Sequence, residues 1–266
     1  MLQCAPDVFG RFVVDRFNEM LQTGNIEPSW ARTLFTMLPK QGDQNQVGNW
    51  RPIAILKITY KLFARMIYQR LHATLENHQN RDQVGFRPKY SVEDAFIVLE
   101  TMTSKSLEWK FPIWMASLDL RKAFDRIEYH ALFAALREQG VGDNYLALLA
   151  SMYSDQTGCI RGSKKYFNIE RGVKQGDIIS PVLFNAALEL VIRRWKIRIN
   201  GSGINIGIGE YLTNIRYADD LMLYASSLED LTCMMQVLFM RVQLMPQALP
   251  KHTEYIQHIL SIYTYL

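Results

Sequence analysis

The chain has 266 residues, of which 48% are hydrophobic and 21% charged, and its formal net charge is +4. This composition supports a folded core of one or two domains, excludes a disordered polar chain, and permits a polyanionic partner without requiring one. The three cysteines match no disulfide framework or metal-binding spacing, and no apolar run is long enough to cross a membrane. We therefore expect a soluble intracellular protein, in the nucleus or the cytoplasm.

The amino-terminal part alternates helical and β-prone segments. Apolar residues at helical spacing predict helices over residues 8–21 and 57–75. Between them, the β-prone runs 33–39 and 50–55 flank a polar, glycine-containing loop and predict a hairpin. This hairpin would bring Lys40 and Arg51 together, either as solvated surface cations or as a clamp for phosphate oxygens.

A glycine- and proline-containing turn covers residues 82–88. Its side chains Gln83, Phe86 and Arg87 suit either contact with a nucleic acid strand or a packing corner. Ser91 follows and is predicted to cap the next helix.

The run 111–119 is almost continuously apolar and predicts a central strand that is covered on both faces. It ends at Asp119, at the edge of the sheet where functional groups are commonly presented. A helix is predicted over residues 128–139. The alternative to a functional role is that Asp119 or Asp125 caps this helix, and of the two Asp125 is favoured. A further helix over 142–152 and a hairpin over 158–169 come next.

The segment 171–177 places Lys174 and Gln175 between two glycines, immediately before a helix start at Ser180 and Pro181. Glycines allow a base or a sugar to approach the backbone closely, and Gln175 can both donate and accept hydrogen bonds. A plain connecting loop is the alternative.

Residues 215–224 read as strand, tight turn and strand, with Asp219 and Asp220 at the turn. Adjacent carboxylates raise each other's pKa unless a cation stands between them, which favours a metal site. A solvated turn is the alternative, because aspartate is a common turn residue. An amphipathic helix is predicted over residues 228–242.

Six motifs follow one another in a fixed order. They are LPKQGD (38–43), NWRPI (49–53), QVGFR (83–87), LDLRKAFD (118–125), GVKQGDIISPVLFN (172–185) and YADD (217–220). Through them, over roughly residues 25–240, the chain resembles the reverse transcriptase domain of non-LTR (LINE-type) retrotransposons, and more loosely the polymerases of group II introns.

The resemblance implies an α+β right-hand polymerase fold, with fingers and a palm whose antiparallel sheet is flanked by helices. It implies fingers over residues 1–110 and a palm over 111–240, with 128–171 returning to the fingers. Residues 241–266 depart from the family pattern, and we expect this tail to contain no thumb.

The implied activity is RNA-directed DNA polymerisation, with an RNA template, a DNA primer and dNTPs as partners and no role for a membrane. Endonuclease and thumb functions would come from elsewhere. The family pattern assigns two Mg²⁺ ions to the carboxylates of Asp119, Asp219 and Asp220 and the carbonyl of Leu120, which suits a cation that prefers oxygen ligands.

The same resemblance assigns roles to five further residues. Phe124 would lie under the sugar and exclude a 2′-hydroxyl, and Lys40 with Arg51 would hold the triphosphate. Lys174 and Gln175 would contact the template or the nucleotide. Two other interpretations are a truncated remnant that binds nucleic acid without catalysis, and an RNA-directed RNA polymerase or telomerase-like enzyme that shares the palm.

Overall fold

The computed structural model describes residues 7–120, 122–243 and 259–265, which alternate helices and strands. The helices are α1 Asp7–Thr23, α2 Ile58–Glu76, α3 Val92–Trp109, α4 Ala123–Arg126, α5 Tyr129–Glu138, α6 Asp143–Tyr153, α7 Ser180–Arg198 and α8 Leu228–Gln243. The strands are β1 Arg32–Pro39, β2 Trp50–Ile55, β3 Ile113–Asp119, β4 Thr157–Ile160, β5 Tyr166–Asn168, β6 Ile204–Gly207, β7 Glu210–Leu212, β8 Asn214–Tyr217, β9 Asp220–Ala225 and β10 Ile259–Tyr265. The helices and strands predicted from the sequence are confirmed, with small shifts at their ends.

The central sheet is antiparallel and has the strand order β10-β3-β9-β8. Strand β3 lies inside it, and side chains on its two faces enter different clusters. Ala116 and Leu118 join the main core with helices such as α2, α5, α7 and α8, whereas Ile113 and Met115 pack on the other face with Tyr224. The apolar run of β3 follows from this double coverage.

A second sheet has the order β2-β1-β4-β5. Strands β1 and β2 form the predicted hairpin, and β4 pairs parallel with β1. The hairpin made by β4 and β5 therefore lies beside a hairpin more than a hundred positions earlier in the chain. The boundaries between fingers and palm stay a prediction.

Two features were missed by the sequence analysis. Strands β6 and β7 form a small separate hairpin between α7 and β8. Strand β10 lies within residues 241–266, which were expected to be a divergent tail, and it pairs with β3. That pairing joins segments far apart in the chain, and no local pattern of residues encodes such a partner. None of the described helices is both long and apolar enough to span a membrane.

Candidate active site

Two aspartates lie opposite each other on adjacent strands of the central sheet. Strands β3 and β9 pair antiparallel, and their register sets Asp119 opposite Asp220. Residues directly opposite each other in an antiparallel pair present their side chains on the same face, with Cβ atoms roughly 4.5–5.5 Å apart. Sheet pairing thus brings together two acids that are distant in the chain.

Asp219 sits beside this pair, in the turn between β8 and β9. The preceding residue, Ala218, is buried and has a positive φ of 59°. A non-glycine residue in this left-handed conformation costs roughly 1–2 kcal/mol. The direction of the Asp219 side chain is therefore set by a turn that neighbouring groups must hold in place.

The three acids repel one another. Burial raises the pKa of Asp219, and the charges of Asp220 and Asp119 raise it further, while the Arg51 guanidinium opposes the shift. Burial and the charge of Asp119 likewise raise the pKa of Asp220. When the carboxylates are all ionised, their mutual repulsion favours the binding of a cation between them.

The two predicted phosphate-clamp cations lie at the turn end of the first hairpin, where β1 ends and β2 begins. Arg51 is paired with Leu38, and the backbone N–H of Lys40 donates to the carbonyl of Asn49 at 2.7 Å. Both side chains are exposed. Arg51 acts electrostatically on Asp219, and Lys40 acts on Asp125, so the structure brings both cations close to acidic side chains.

Phe124 is half-buried and stacks on Phe184 of α7, with ring centroids 4.2 Å apart and an interplanar angle of 8°. The ring of Phe86, which is 52% exposed, approaches both Phe124 and Tyr217 at 6.2 Å. The rings of Phe124, Phe86 and Tyr217 therefore form a row that ends next to the turn that carries Asp219. The stack on Phe184 restricts movement of the Phe124 ring.

Asp125 does not cap α5, so that prediction is wrong. It lies in α4, whereas the residue preceding α5 is Glu128. The chain is extended at Ile127 between the two helices, which separates Asp125 from the N-terminus of α5. Instead, its carboxylate accepts a hydrogen bond from Nε2 of Gln175 at 3.0 Å. Burial raises the pKa of Asp125 and this hydrogen bond opposes the rise.

The glycines of the loop 171–177 let segments of this protein approach one another. Gly172 has a φ of 86°, and a Cβ there would lie 2.7 Å from the carbonyl oxygen of Asp125. Gly176 has a φ of 104°, and its Cβ would lie 3.1 Å from the carbonyl oxygen of Ala54. The structure thus accounts for both glycines by packing against β2 and α4, where the sequence suggested room for a base or a sugar.

Lys174 points into the protein. Its side chain is enclosed, and Nζ lies 5.0 Å from the ring centroid of Tyr60 with no hydrogen-bond partner among the described residues. Burial lowers the pKa of Lys174 to about 8, although the nearby Asp177 opposes this. Asp177 in turn accepts a 2.6 Å hydrogen bond from the hydroxyl of Tyr60. The predicted contact of Lys174 with template or nucleotide stays a prediction.

The lowered pKa of Lys174 predicts a rise in stability with pH. Between pH 8 and its ordinary pKa of 10.5, the unfolded chain holds more protons than the folded chain, so the free energy of unfolding increases with pH. The contribution from pH 8 to pH 10 is on the order of 2 kcal/mol. Urea unfolding at these pH values measures it. Lys174→Met should remove this contribution, and the exposed-lysine control Lys164→Met should retain it. Buried Tyr60 and Tyr153, whose pKa is raised, lower stability over the same pH range, so the contribution of Lys174 is the wild-type change in unfolding free energy minus that of Lys174→Met. Equal changes in the two chains would contradict the assignment.

A cavity of about 420 Å³ opens between the second sheet and the loop 171–177. Phe35 and Phe167 line it and stack with centroids 6.0 Å apart, while Asp125 and Gln175 supply polar groups. Aromatic faces beside hydrogen-bonding groups suit a flat, polar ligand such as a nucleobase.

The sequence profile described as reverse transcriptase (RNA-dependent DNA polymerase) matches residues 38–245, which include every acid and cation discussed above. The chain belongs to the reverse transcriptase family. The resemblance to non-LTR retrotransposons stated from the six motifs is confirmed by its curated relatives.

One such relative is the Pol polyprotein of a type-1 retrotransposable element R2 from Popillia japonica, with 34% identity over 76% of this chain and 29% of the relative. Another is the transposon TX1 149 kDa protein of Xenopus laevis, with 28% identity over 85% of this chain and 17% of the relative. This reverse transcriptase chain therefore spans less than a third of the length of these relatives.

Solved structures confirm the fingers-and-palm polymerase fold. An apo telomerase from Candida tropicalis, truncated from its C-terminal domain, matches with a TM-score of 0.63 and 13% identity, over 90% of this chain and 51% of that one. A Candida albicans telomerase in complex with a fragment of telomeric RNA matches with a TM-score of 0.62 and 11% identity, over 95% of this chain and 45% of that one. At these identities the likeness concerns the fold alone.

Sequence reasoning missed two contacts around these acids. Asp125 was favoured as a helix cap, whereas its carboxylate accepts a hydrogen bond from Gln175, 50 positions later in the chain. Gln83 was left between a nucleic acid contact and a packing corner, and the structure buries it against the Asp219 turn.

Proposed function

We propose that this chain is an RNA-directed DNA polymerase domain of a retroelement, which adds nucleotides from dNTPs to the 3′-hydroxyl of a primer. One observation carries the proposal. Asp119 and Asp220 stand opposite each other on adjacent strands, with Asp219 in the adjoining turn, in a chain of the reverse transcriptase family.

The acids fit Mg²⁺, although no group of three His, Cys, Asp or Glu side chains within the described residues is already arranged to hold a metal ion. Mg²⁺ is commonly bound through one or two carboxylates together with substrate phosphates, so a complete protein cage is not required. Asp119, Asp219 and Asp220, with the carbonyl of Leu120, would hold two ions. When bound, these ions activate the primer hydroxyl and neutralise charge on the leaving pyrophosphate.

The surrounding side chains would bind and orient the nucleotide. Arg51 and Lys40, both exposed near the acids, supply charge-assisted hydrogen bonds to triphosphate oxygens. The Phe124 ring, which stacks on Phe184, would lie under the sugar and leave no room for a 2′-hydroxyl. These contacts would favour dNTPs over rNTPs.

Gln175 would contact the template. Its amide is held by Asp125 and lines the cavity that Phe35 and Phe167 enclose in part. A base can stack on these aromatic rings, and an amide can both donate to it and accept from it. An RNA template as partner is supported by the Candida albicans telomerase, which is similar in fold and was solved with a fragment of telomeric RNA.

Primer extension tests the proposal. Residues 1–266 are incubated with a primed RNA template and dNTPs, with Mg²⁺ or with EDTA, and rNTPs serve as a parallel arm. We expect extension with dNTPs that EDTA abolishes. Extension with rNTPs alone would indicate an RNA polymerase instead.

Filter binding over a salt series separates catalysis from binding. Affinity for single-stranded RNA should fall with salt, with a slope of log K against log salt near −0.7 for each phosphate contact. Salt-dependent binding without any extension would contradict the proposal and identify a non-catalytic nucleic-acid-binding module.

A further inference from the structure

The turn that carries Asp219 is held by one buried side chain. Oε1 of Gln83 accepts hydrogen bonds from the backbone N–H groups of Ala218, at 3.0 Å, and Gly85, at 2.9 Å. Nε2 of Gln83 donates to the carbonyl of Ala218 at 3.3 Å. The amide therefore binds the backbone on both sides of the Ala218 α-carbon.

These contacts bear directly on the direction of Asp219. The carbonyl of Ala218 belongs to the peptide group that also contains the Asp219 nitrogen, so its orientation fixes where the Asp219 side chain leaves the backbone. Ala218 is in the left-handed conformation, which an alanine does not adopt without compensation. The Gln83 amide supplies that compensation through two hydrogen bonds.

Gln83 is itself fixed to α2. The guanidinium of Arg87 donates to the carbonyl oxygens of Gln83, at 2.8 Å, and Asn80, at 2.6 Å. It also pairs with Glu76 of α2 at 2.7 Å. Arg87 and Gln83 are thus members of a packing corner, and of the three side chains predicted for the turn only Phe86 is exposed.

The loop is also fixed to α7 and β8. A short parallel bridge joins Gln83 to Arg216, just before the turn. The guanidinium of Arg216, which is fully buried, contacts Asp82 at 2.6 Å and Glu189 of α7 at 2.9 Å. Removing one partner of a buried ion pair costs about 3–5 kcal/mol, so this cluster resists displacement of the loop.

The backbone of the loop at Gly85 packs directly against the backbone of the turn at Ala218. A Cβ on Gly85 would lie 2.4 Å from the backbone nitrogen of Ala218, closer than atoms can pack. Asn185 of α7 holds the other side of Gly85 by donating to its carbonyl at 2.9 Å. The position of the turn is therefore determined by the loop at Gly85, which α7 holds in place.

We propose that Gln83 is a positioning residue, which directs the Asp219 carboxylate toward Asp119 and so strengthens Mg²⁺ binding; this inference rests on the proposed function. Gln83 is enclosed by protein and acts through the backbone of Ala218. Groups that orient a metal ligand typically change metal affinity or activity 10–100-fold when they are removed.

The test is Gln83→Met, which keeps the side-chain length and removes all three hydrogen bonds. Gln139→Met is the matched control, because Gln139 is also a buried amide and donates to the carbonyl of Ala186, away from the turn. We expect Gln83→Met to raise the Mg²⁺ concentration for half-maximal extension about 10–100-fold. The KM for dNTP at saturating Mg²⁺, and the control variant, should stay at wild-type values.

A second readout needs no catalysis. The Mg²⁺ concentration at the midpoint of the rise in melting temperature should shift by the same factor in Gln83→Met. A lower melting temperature with an unchanged Mg²⁺ midpoint would show a merely structural role and overturn the proposal. If Mg²⁺ shifts the wild-type melting temperature but no extension occurs, the proposed function fails and the positioning role is still decided by this midpoint.

Amide hydrogen exchange on the wild-type chain covers the case in which Gln83→Met does not fold. The Ala218 amide should exchange slowly, because it donates to a buried acceptor, and it should exchange as slowly as the amides of β9. Fast exchange of Ala218 in the folded chain would overturn the proposal without any variant.

Discussion

Asp219→Asn is expected to reduce dNTP incorporation on a primed RNA template by at least ~10²–10³-fold, the loss that follows removal of one electrostatic contact to developing charge. The amide keeps the shape of the side chain and loses the charge that a metal ion requires. Asp119→Asn should have the same effect, because the two carboxylates serve one site. Single-nucleotide primer extension under saturating Mg²⁺ and dNTP measures both variants.

The melting temperature separates lost chemistry from lost folding. Burial and neighbouring carboxylates raise the pKa of Asp219, so its charged form is disfavoured in the folded chain at neutral pH. Asp219→Asn should therefore melt no lower than the wild type in EDTA. Asp143→Asn is the control, since Asp143 is exposed and only loosely paired with Arg137 at 3.7 Å. Wild-type incorporation by Asp219→Asn or Asp119→Asn would remove the metal assignment.

Phe124→Val is expected to lower discrimination against rNTPs by about 10²-fold, measured as the ratio of kcat/KM for a dNTP to that for the matching rNTP. The valine side chain is shorter and leaves space where the ring would meet a 2′-hydroxyl. Incorporation of dNTPs should continue, because the acids and the cations near them are unchanged.

Phe133→Val controls for the loss of a phenyl ring, since Phe133 lies in α5 and packs against the main core. It should reduce stability without altering the ratio between the two sugars. An unchanged ratio in Phe124→Val, or an equal change in Phe133→Val, would show that the Phe124 ring does not select the sugar.

Local signals in the sequence were sufficient for the secondary structure around this site. The apolar run before Asp119 predicted an interior strand, and the serine–proline pair at Ser180 predicted the start of α7. Ser91 caps α3, and its backbone N–H donates to Asp94 at 2.7 Å in a capping box. Periodicity, caps and turn residues act between close neighbours in the chain, so they can be read without the fold.

The ordered motifs also indicated the family and the acids of the site, because each short string occurs at its expected place. They did not indicate how the side chains of the loops are used. Lys174 and Gln175 are adjacent in one loop, yet the structure encloses the first under Tyr60 and bonds the second to Asp125. Adjacent side chains leave a loop in different directions, and only packing decides which of them faces a ligand.

By itself, then, the sequence determined most of the elements and the family, and it singled out Asp119, Asp219 and Asp220 as acids suited to a cation. The tertiary structure decided the register that sets Asp119 opposite Asp220, the pairing of β10 with β3, and the hold of Gln83 on Ala218. Each of these joins residues far apart in the chain. Such contacts depend on which surfaces the whole core brings together, and neither spacing nor propensity carries that information.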